Sequence, residues 1–442
     1  MKYLSLLALF CLALSALYSQ STQLGGTVDI SFAKGQIKSQ FVLSNLPNQD
    51  EALSFMLHSD LSVKRILLND QKIEFAKTKQ QCYDCTVYAI SSVKTFEAAD
   101  RLLIETEGRF KTYKAGQNKK DYKGKIANNY GILRASEQAK WYPVIISQGK
   151  KLPAFLRKYP YTLDLQANCD CKSIYIGRGA PKPSGARFVS NNPSKDIMLI
   201  AGNYEWTEGK KAIFLNITDQ PLIDRLDSLF SSISEYYESI TQIDMPTKYV
   251  MAHLPSDNAR WGGFMTYPTI VSVRKSMSNR NLSAYLSHEV AHYLFGDVYQ
   301  AEGNLFWFYL ESFAEYFSYK YLLQHDPAGM RGDYRRMRKS KEFVRLDQVK
   351  QINQVTSTAR YLIGPFQLLA IEQRIGEEKM LELIASVFPK LETSEDGYQT
   401  LVATLLEIGV EEKTVAEIEE QLFQQFDPAS YDFVADRLEA KK

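Results

Sequence analysis

Between residues 26 and 216, apolar and polar side chains alternate in short runs broken by turn residues. Residues 27–32 (TVDISF), 40–43 (QFVL), 63–68 (VKRILL, then Asn69-Asp70), 87–90 (VYAI), 102–105 (LLIE), 161–165 (YTLDL) and 197–200 (IMLI) carry this texture. A period of two places one face of each run on a core, so the pattern predicts an antiparallel β-domain. Near Pro221 the period lengthens. Leu222, Leu226, Leu229, Phe230, Ile233 and Tyr237 recur at intervals of three and four, the stripe of an amphipathic helix. One strand pair follows, around 249–252 and 269–273, and then mostly helical periodicity to the end. The expected architecture is α+β, with residues 21–220 as the β-domain and 221–442 as a mainly helical domain.

The first twenty residues stand outside this pattern. Lys2 precedes a run from residue 4 to 17 that is apolar apart from Ser5 and Ser15, with small and polar residues after it. That is the form of an export signal, too short for a permanent membrane span, and no later stretch reaches 18 uninterrupted apolar residues. Cys11 lies in the apolar run after Phe10, without the small residue expected before a lipidated cysteine.

Export changes how the other cysteines read. Cys82 and Cys85 form C-Y-D-C, and Cys169 and Cys171 form C-D-C. In an oxidising compartment four cysteines favour disulfides, with three pairings open. A four-thiolate zinc site is the competing reading, against which the one-residue spacer of C-D-C speaks, and a redox dithiol at Cys82/Cys85 is a third. The whole chain holds 442 residues, room for two or three domains, and 53 basic against 51 acidic side chains. That balance excludes a dedicated nucleic-acid binder, although residues 109–125 carry seven Lys or Arg among aromatics; a solvated hairpin loop explains them.

The chemistry concentrates in His288-Glu289-Val290-Ala291-His292, an H-E-x-x-H set in a helical pattern of Tyr285, Leu286, Val290, Ala291, Leu294 and Phe295. Four residues are close to one helical turn, so both imidazoles leave one face and can bind one zinc ion. Glu289, one position along from the first ligand, leans toward water beside the metal and suits a general base. A catalytic zinc site also needs a third protein ligand and an open position. Glu311 follows His292 after eighteen residues, again in a helical stretch, and a short loop between two helices returns it over the histidine pair. The sequence thus predicts one zinc ion per chain, held by His288, His292 and Glu311. His58, His253 and His325 have no spacing to the motif and are read as structural.

H-E-V-A-H-x-x-F-G-D (His288 to Asp297), the eighteen-residue spacer and E-S-F-A-E-Y (Glu311 to Tyr316) resemble the aminopeptidase N and leukotriene-A hydrolase family of zinc peptidases, the gluzincins. The resemblance is dense from about residue 248 to 376. It implies a β-rich N-terminal domain followed by a thermolysin-like catalytic domain, and a peptide or protein as substrate. It assigns Tyr361, in Tyr361-Leu362-Ile363-Gly364, to the oxyanion of the tetrahedral intermediate, although Ile363 stands where the family has lysine. It further suggests Glu315 as hydrogen-bond partner of a zinc-bound imidazole, and Asp297 as a motif residue or helix-end cap.

Two departures matter. The family's exopeptidase motif carries a glutamate that grips the substrate's free amine; here Gly263-Phe264-Met265-Thr266 puts a neutral threonine there. The backbone of Gly263 and Phe264 still suits strand-like pairing with an extended peptide, and Glu137 is a candidate substitute anchor. The chain also stops soon after the catalytic domain, without the helical domain that caps the family's cleft, so longer peptides are expected to enter. The competing function is a zinc-binding scaffold or peptide-binding protein with little turnover.

Overall fold

The computed structural model describes residues 21–46, 53–79, 84–90, 96–97, 99–113, 126–135, 139–146, 160–194, 197–255, 263–272 and 281–439. The expected signal segment, Cys82, Glu137 and most of the basic stretch lie outside them, as does the Phe264 side chain.

The N-terminal half is built of sheets, as the period-two texture predicts. Seven strands run in the order Ala186–Ser194, Tyr161–Cys169, Thr22–Ser31, Gln36–Ser44, Leu102–Arg109, Leu61–Leu68, Gln71–Lys72. Tyr161, Leu163, Leu165 and Ala167 of one strand alternate inward, and the same alternation buries Leu24, Val28 and Ile30 of its neighbour. Those two strands pair in parallel, Thr22 opposite Tyr161 through Ile30 opposite Cys169, so the sheet is mixed and not purely antiparallel. A four-stranded sheet (Val144–Ile145, Leu53–His58, Cys85–Ile90, Phe75–Lys77) and a five-stranded sheet (Ser173–Ile176, Leu199–Gly202, Ile132–Ala135, Ala127–Asn129, Lys111–Tyr113) complete this half. The run expected at 197–200 forms a strand from Leu199, and the Ile197 carbonyl before it accepts a hydrogen bond from Trp141 Nε1 (2.8 Å).

Cys169 and Cys171 are bonded to each other, and Cys85 is also disulfide-bonded. The C-D-C pair therefore belongs to no four-thiolate zinc site, and a bonded Cys85 agrees with the expectation of disulfides.

Helix α1 (Gln220–Thr241) starts with Pro221 in its first turn and buries Ile223, Leu226, Phe230, Ile233 and Tyr237. The expected stripe is thus offset by one residue at its start, with Leu222 and Leu229 only half-buried. The boundary near Pro221 is not a break in packing. A second five-stranded sheet runs Trp206–Glu208, Ala212–Leu215, Tyr249–His253, Thr269–Ser272, Gly263–Thr266, so two strands before Pro221 join the helical half. Ala212, Phe214 and Ile217 sit in the core of that half. A smaller cluster of Ile132, Tyr175, Ile200, Ile213, Leu215, Val250 and Val271 fills the space between the halves.

After the sheet come α2 (Leu282–Leu294), α3 (Phe313–His325), α4 (Pro327–Arg338), α5 (Gly364–Ile375) and α6 (Glu377–Leu391), then shorter helices to Glu439. None of the described helices is long and apolar enough to cross a membrane.

Gly263–Thr266 is the outermost of the described strands of its sheet. Gly263 has φ +152°, and a Cβ there would meet Tyr285 Oη and the Val271 carbonyl oxygen, both at 2.2 Å. Tyr285, one turn before His288, donates to that same carbonyl at 3.0 Å. The absent side chain therefore lets the edge strand lie against the histidine helix. Gly263→Ala combines a backbone clash with φ strain, and we expect it to lower unfolding stability by about 2–3 kcal/mol, measurable by urea denaturation.

Candidate metal centre

Asn281 caps α2 through its side chain, which accepts from the Ala284 N–H at 3.1 Å. The helix is buried on most of its circumference, and its neighbours hold it by polar contacts. Tyr237 Oη donates to the Ser287 carbonyl at 2.7 Å, and Ser287 and Ser318 hydroxyls meet at 2.7 Å. These contacts tie α1, α2 and α3 together and fix the azimuth at which the histidines emerge. His288 and His292 then stand one turn apart, their Nε2 atoms 3.2 Å from each other.

Glu311 arrives from a π-helical turn (Phe308–Ser312) directly before α3. Its Oε2 lies 3.3 Å from His292 Nε2 and 3.6 Å from His288 Nε2. Three ligands about 2.0–2.1 Å from a tetrahedral zinc lie about 3.3–3.4 Å from one another, so this donor set fits the ion. Among the described residues these three form the one such cluster of His, Cys, Asp and Glu.

The remaining nitrogens are oriented by the protein. His292 Nδ1 faces the Phe295 carbonyl oxygen at 3.3 Å, and Glu315 Oε2 stands 2.5 Å from His288 Nδ1, a close ion-pair contact set off the line of an ideal N–H bond. Both leave Nε2 as the metal-facing atom. Burial opposes charge on His288, but Glu315 and Glu311 outweigh it and hold the metal-free imidazole well above its usual pKa. Burial likewise opposes charge on Glu311, and the two histidines overcome it, keeping this carboxyl well below the usual range. Glu315→Gln removes a charge that favours a ligating imidazole, so zinc affinity should fall about 10- to 100-fold, read by competition with a chromophoric chelator.

Tyr361 also sits on a π-helical turn, Ala359–Ile363, directly before α5. Such turns aim side chains that a regular helix would rotate elsewhere, and both here carry a site residue. They pack on one another: Ser312 Oγ donates to the Arg360 carbonyl at 2.9 Å, and a Cβ on Gly364 would meet Ser312 Oγ at 2.3 Å. The Tyr361 ring lies 5.9 Å from that of His288. Burial of its hydroxyl, then the charges of Glu311 and Glu289, push its pKa far above the ordinary value, so it stays a neutral donor. Glu289 is 6% exposed, and its charge reaches both His288 and Tyr361.

The structure thus gathers His288, Glu289, His292, Glu311, Glu315 and Tyr361. Asp297 lies exposed in the turn after α2, outside the ligand cluster. Thr266 is buried and pairs with Thr269 at the end of the edge strand. Among the other histidines, His58 is buried with Nδ1 accepting from the Asp60 N–H at 3.1 Å, and His325 stacks on Tyr321 at 4.6 Å.

The fold recurs in known structures. Yeast LTA4 hydrolase superposes with a TM-score of 0.61 at 16% identity, covering 93% of this chain and 70% of that one. An M1 zinc metallopeptidase from Deinococcus radiodurans, a variant bound to a Tyr-Ser-Ala substrate, gives 0.60 at 15% identity over 92% and 96%. Aminopeptidase A from Legionella pneumophila, in complex with aspartic acid, gives 0.59 at 12% over 93% and 50%. The chain has the M1 zinc metallopeptidase fold. No family model matches the sequence, and no curated protein matches it. The M1 fold therefore carries here a sequence far from those of the neighbours. Ser312, Gly364 and Arg360, which seat the two π-turns, carry no signal in the sequence, since turns of this kind have no residue pattern of their own.

Proposed function

We propose that the chain is an exported zinc-dependent peptidase that hydrolyses peptide bonds with Glu289 as general base. The observation that carries this reading is the convergence of two imidazole nitrogens and one carboxylate oxygen within 3.2–3.6 Å, with Glu289 next to the first histidine. The zinc-metallopeptidase neighbours, one of them bound to a tripeptide substrate, support it. The apolar leader and the Cys169–Cys171 disulfide support export.

A zinc ion held by His288, His292 and Glu311 would supply a Lewis acid for the scissile carbonyl and make nearby water more acidic. The chain's own groups do the rest. The strand Gly263–Thr266, outermost of the described strands of its sheet, would offer backbone N–H and C=O groups to an extended peptide, as a sheet edge does. Glu289 takes the proton of the attacking water and passes it to the leaving amine. Tyr361 Oη donates to the carbonyl oxygen as negative charge builds there. Glu315 steadies His288. Tyr361→Phe should lower kcat about 10²- to 10³-fold with zinc content unchanged, read from steady-state kinetics and metal analysis.

Thr266 is neutral, so the edge strand supplies no carboxylate for a substrate's free amine. It favours a second reading, a zinc-bearing peptide-binding protein with little turnover, against which Glu289 and Tyr361 speak. A mixed peptide library, with each peptide free and N-acetylated, tests both. Chelator-sensitive cleavage without a strong preference for the free amine is expected. Absence of any cleavage contradicts the peptidase reading, and strict dependence on the amine shows that another carboxylate anchors it.

A further inference from the structure

Arg360 precedes Tyr361 on the π-turn that packs against the Glu311 turn. Its guanidinium carbon lies over the Trp307 ring, 4.5 Å from the centroid. Trp307 stands four residues before Glu311, immediately ahead of the ligand's own turn. Arg360 Nε donates to the Val355 carbonyl at 2.8 Å, which fixes the plane of the group and leaves its two terminal nitrogens in place. Among the described residues no carboxylate pairs with it. A half-buried cation with no carboxylate in ion-pair contact among the described residues is costly to keep, and the contact with an indole offsets only part of that cost. Its charge nonetheless reaches Tyr361 and Glu311, while burial pulls its own pKa below the usual value.

A stacked guanidinium presents its in-plane N–H groups as a fork that matches a carboxylate. The edge strand lacks the anchor for a positive end, while the turn that carries Tyr361 holds a cation with no carboxylate paired to it among the described residues. Resting on the peptidase reading, we propose that Arg360 is a specificity-determining residue that binds a carboxylate of the substrate. The preferred peptides then carry an acidic side chain or a free C-terminal carboxylate close to the scissile bond. Lysine would keep the charge but lose the fork and the stacking.

The test compares matched peptides: Asp or Glu against Asn or Gln at each position near the cleavage point, and C-terminal acid against amide. In the zinc-loaded protein at least one pair should differ by about tenfold or more in kcat/KM. Arg360→Gln should bring that ratio close to one, chiefly through KM, and Arg360→Lys should retain part of it. Fluorescence anisotropy with the labelled peptides on the Glu289→Gln protein should give the same order of Kd values. Whichever pair responds names the source of the carboxylate. Cleavage with no discrimination in the unaltered protein, or discrimination that survives Arg360→Gln, overturns the proposal. Failure to cleave any peptide overturns the peptidase reading instead, and the anisotropy arm then decides on Arg360: equal Kd values for acid and amide overturn it.

Discussion

Glu289→Gln is expected to cut kcat about 10²- to 10⁴-fold while the protein keeps one zinc per chain. The two halves of this result come from different features of one side chain. Glu289 is absent from the ligand cluster, so its replacement removes no bond to the metal. Glutamine has nearly the same shape and fits the same buried position, but its amide cannot accept the proton that water must lose. Because the carboxylate's charge reaches both His288 and Tyr361, its loss should also shift the pH profile of any residual rate. Steady-state kinetics with metal analysis of the same preparation checks the prediction. A rate close to that of the unaltered protein would exclude Glu289 as the base.

Glu311→Ala is expected to act on the metal itself. The carboxylate sits between the two imidazoles at 3.3 and 3.6 Å and is the one ligand outside α2. Two neutral imidazoles on a single helix turn supply neither the negative charge nor the third corner that holds zinc in a catalytic site. The loss of zinc affinity should therefore exceed the roughly 10- to 100-fold assigned to Glu315→Gln, and peptide cleavage should disappear with it. Adding zinc well above the affinity of the unaltered protein should restore little activity. Stoichiometric zinc in purified Glu311→Ala would place the metal elsewhere.

Much of this site was legible because its chemistry is periodic. A four-residue step puts His288 and His292 on one face of any helix, and the apolar positions around them announced that helix. Glu311 was legible through its spacing and its own helical surroundings, and the passage from strands to helices through the change of period near Pro221. Other features arise from contacts distant in sequence. The parallel pairing of Thr22–Ser31 with Tyr161–Cys169 joins segments more than a hundred residues apart, and nothing local distinguishes it from an antiparallel neighbour. Ala212–Leu215 reads as one more short strand, yet it pairs in parallel with Tyr249–His253 because the helical half needs a sheet to pack on. The aim of Tyr361 depends on the fit of one π-turn against another through Ser312 and Gly364. Its role was therefore legible only through family resemblance, and the setting of Arg360 over Trp307 required the fold.

The proposed chemistry requires one divalent ion held by two imidazoles and the carboxylate of Glu311. Zinc-edge X-ray absorption on the purified full chain tests it most directly. One zinc per chain is expected, with two imidazole nitrogens and oxygen ligands at about 2.0–2.1 Å and no sulfur. A sulfur shell at about 2.3 Å, or a protein that takes up no zinc, would contradict it.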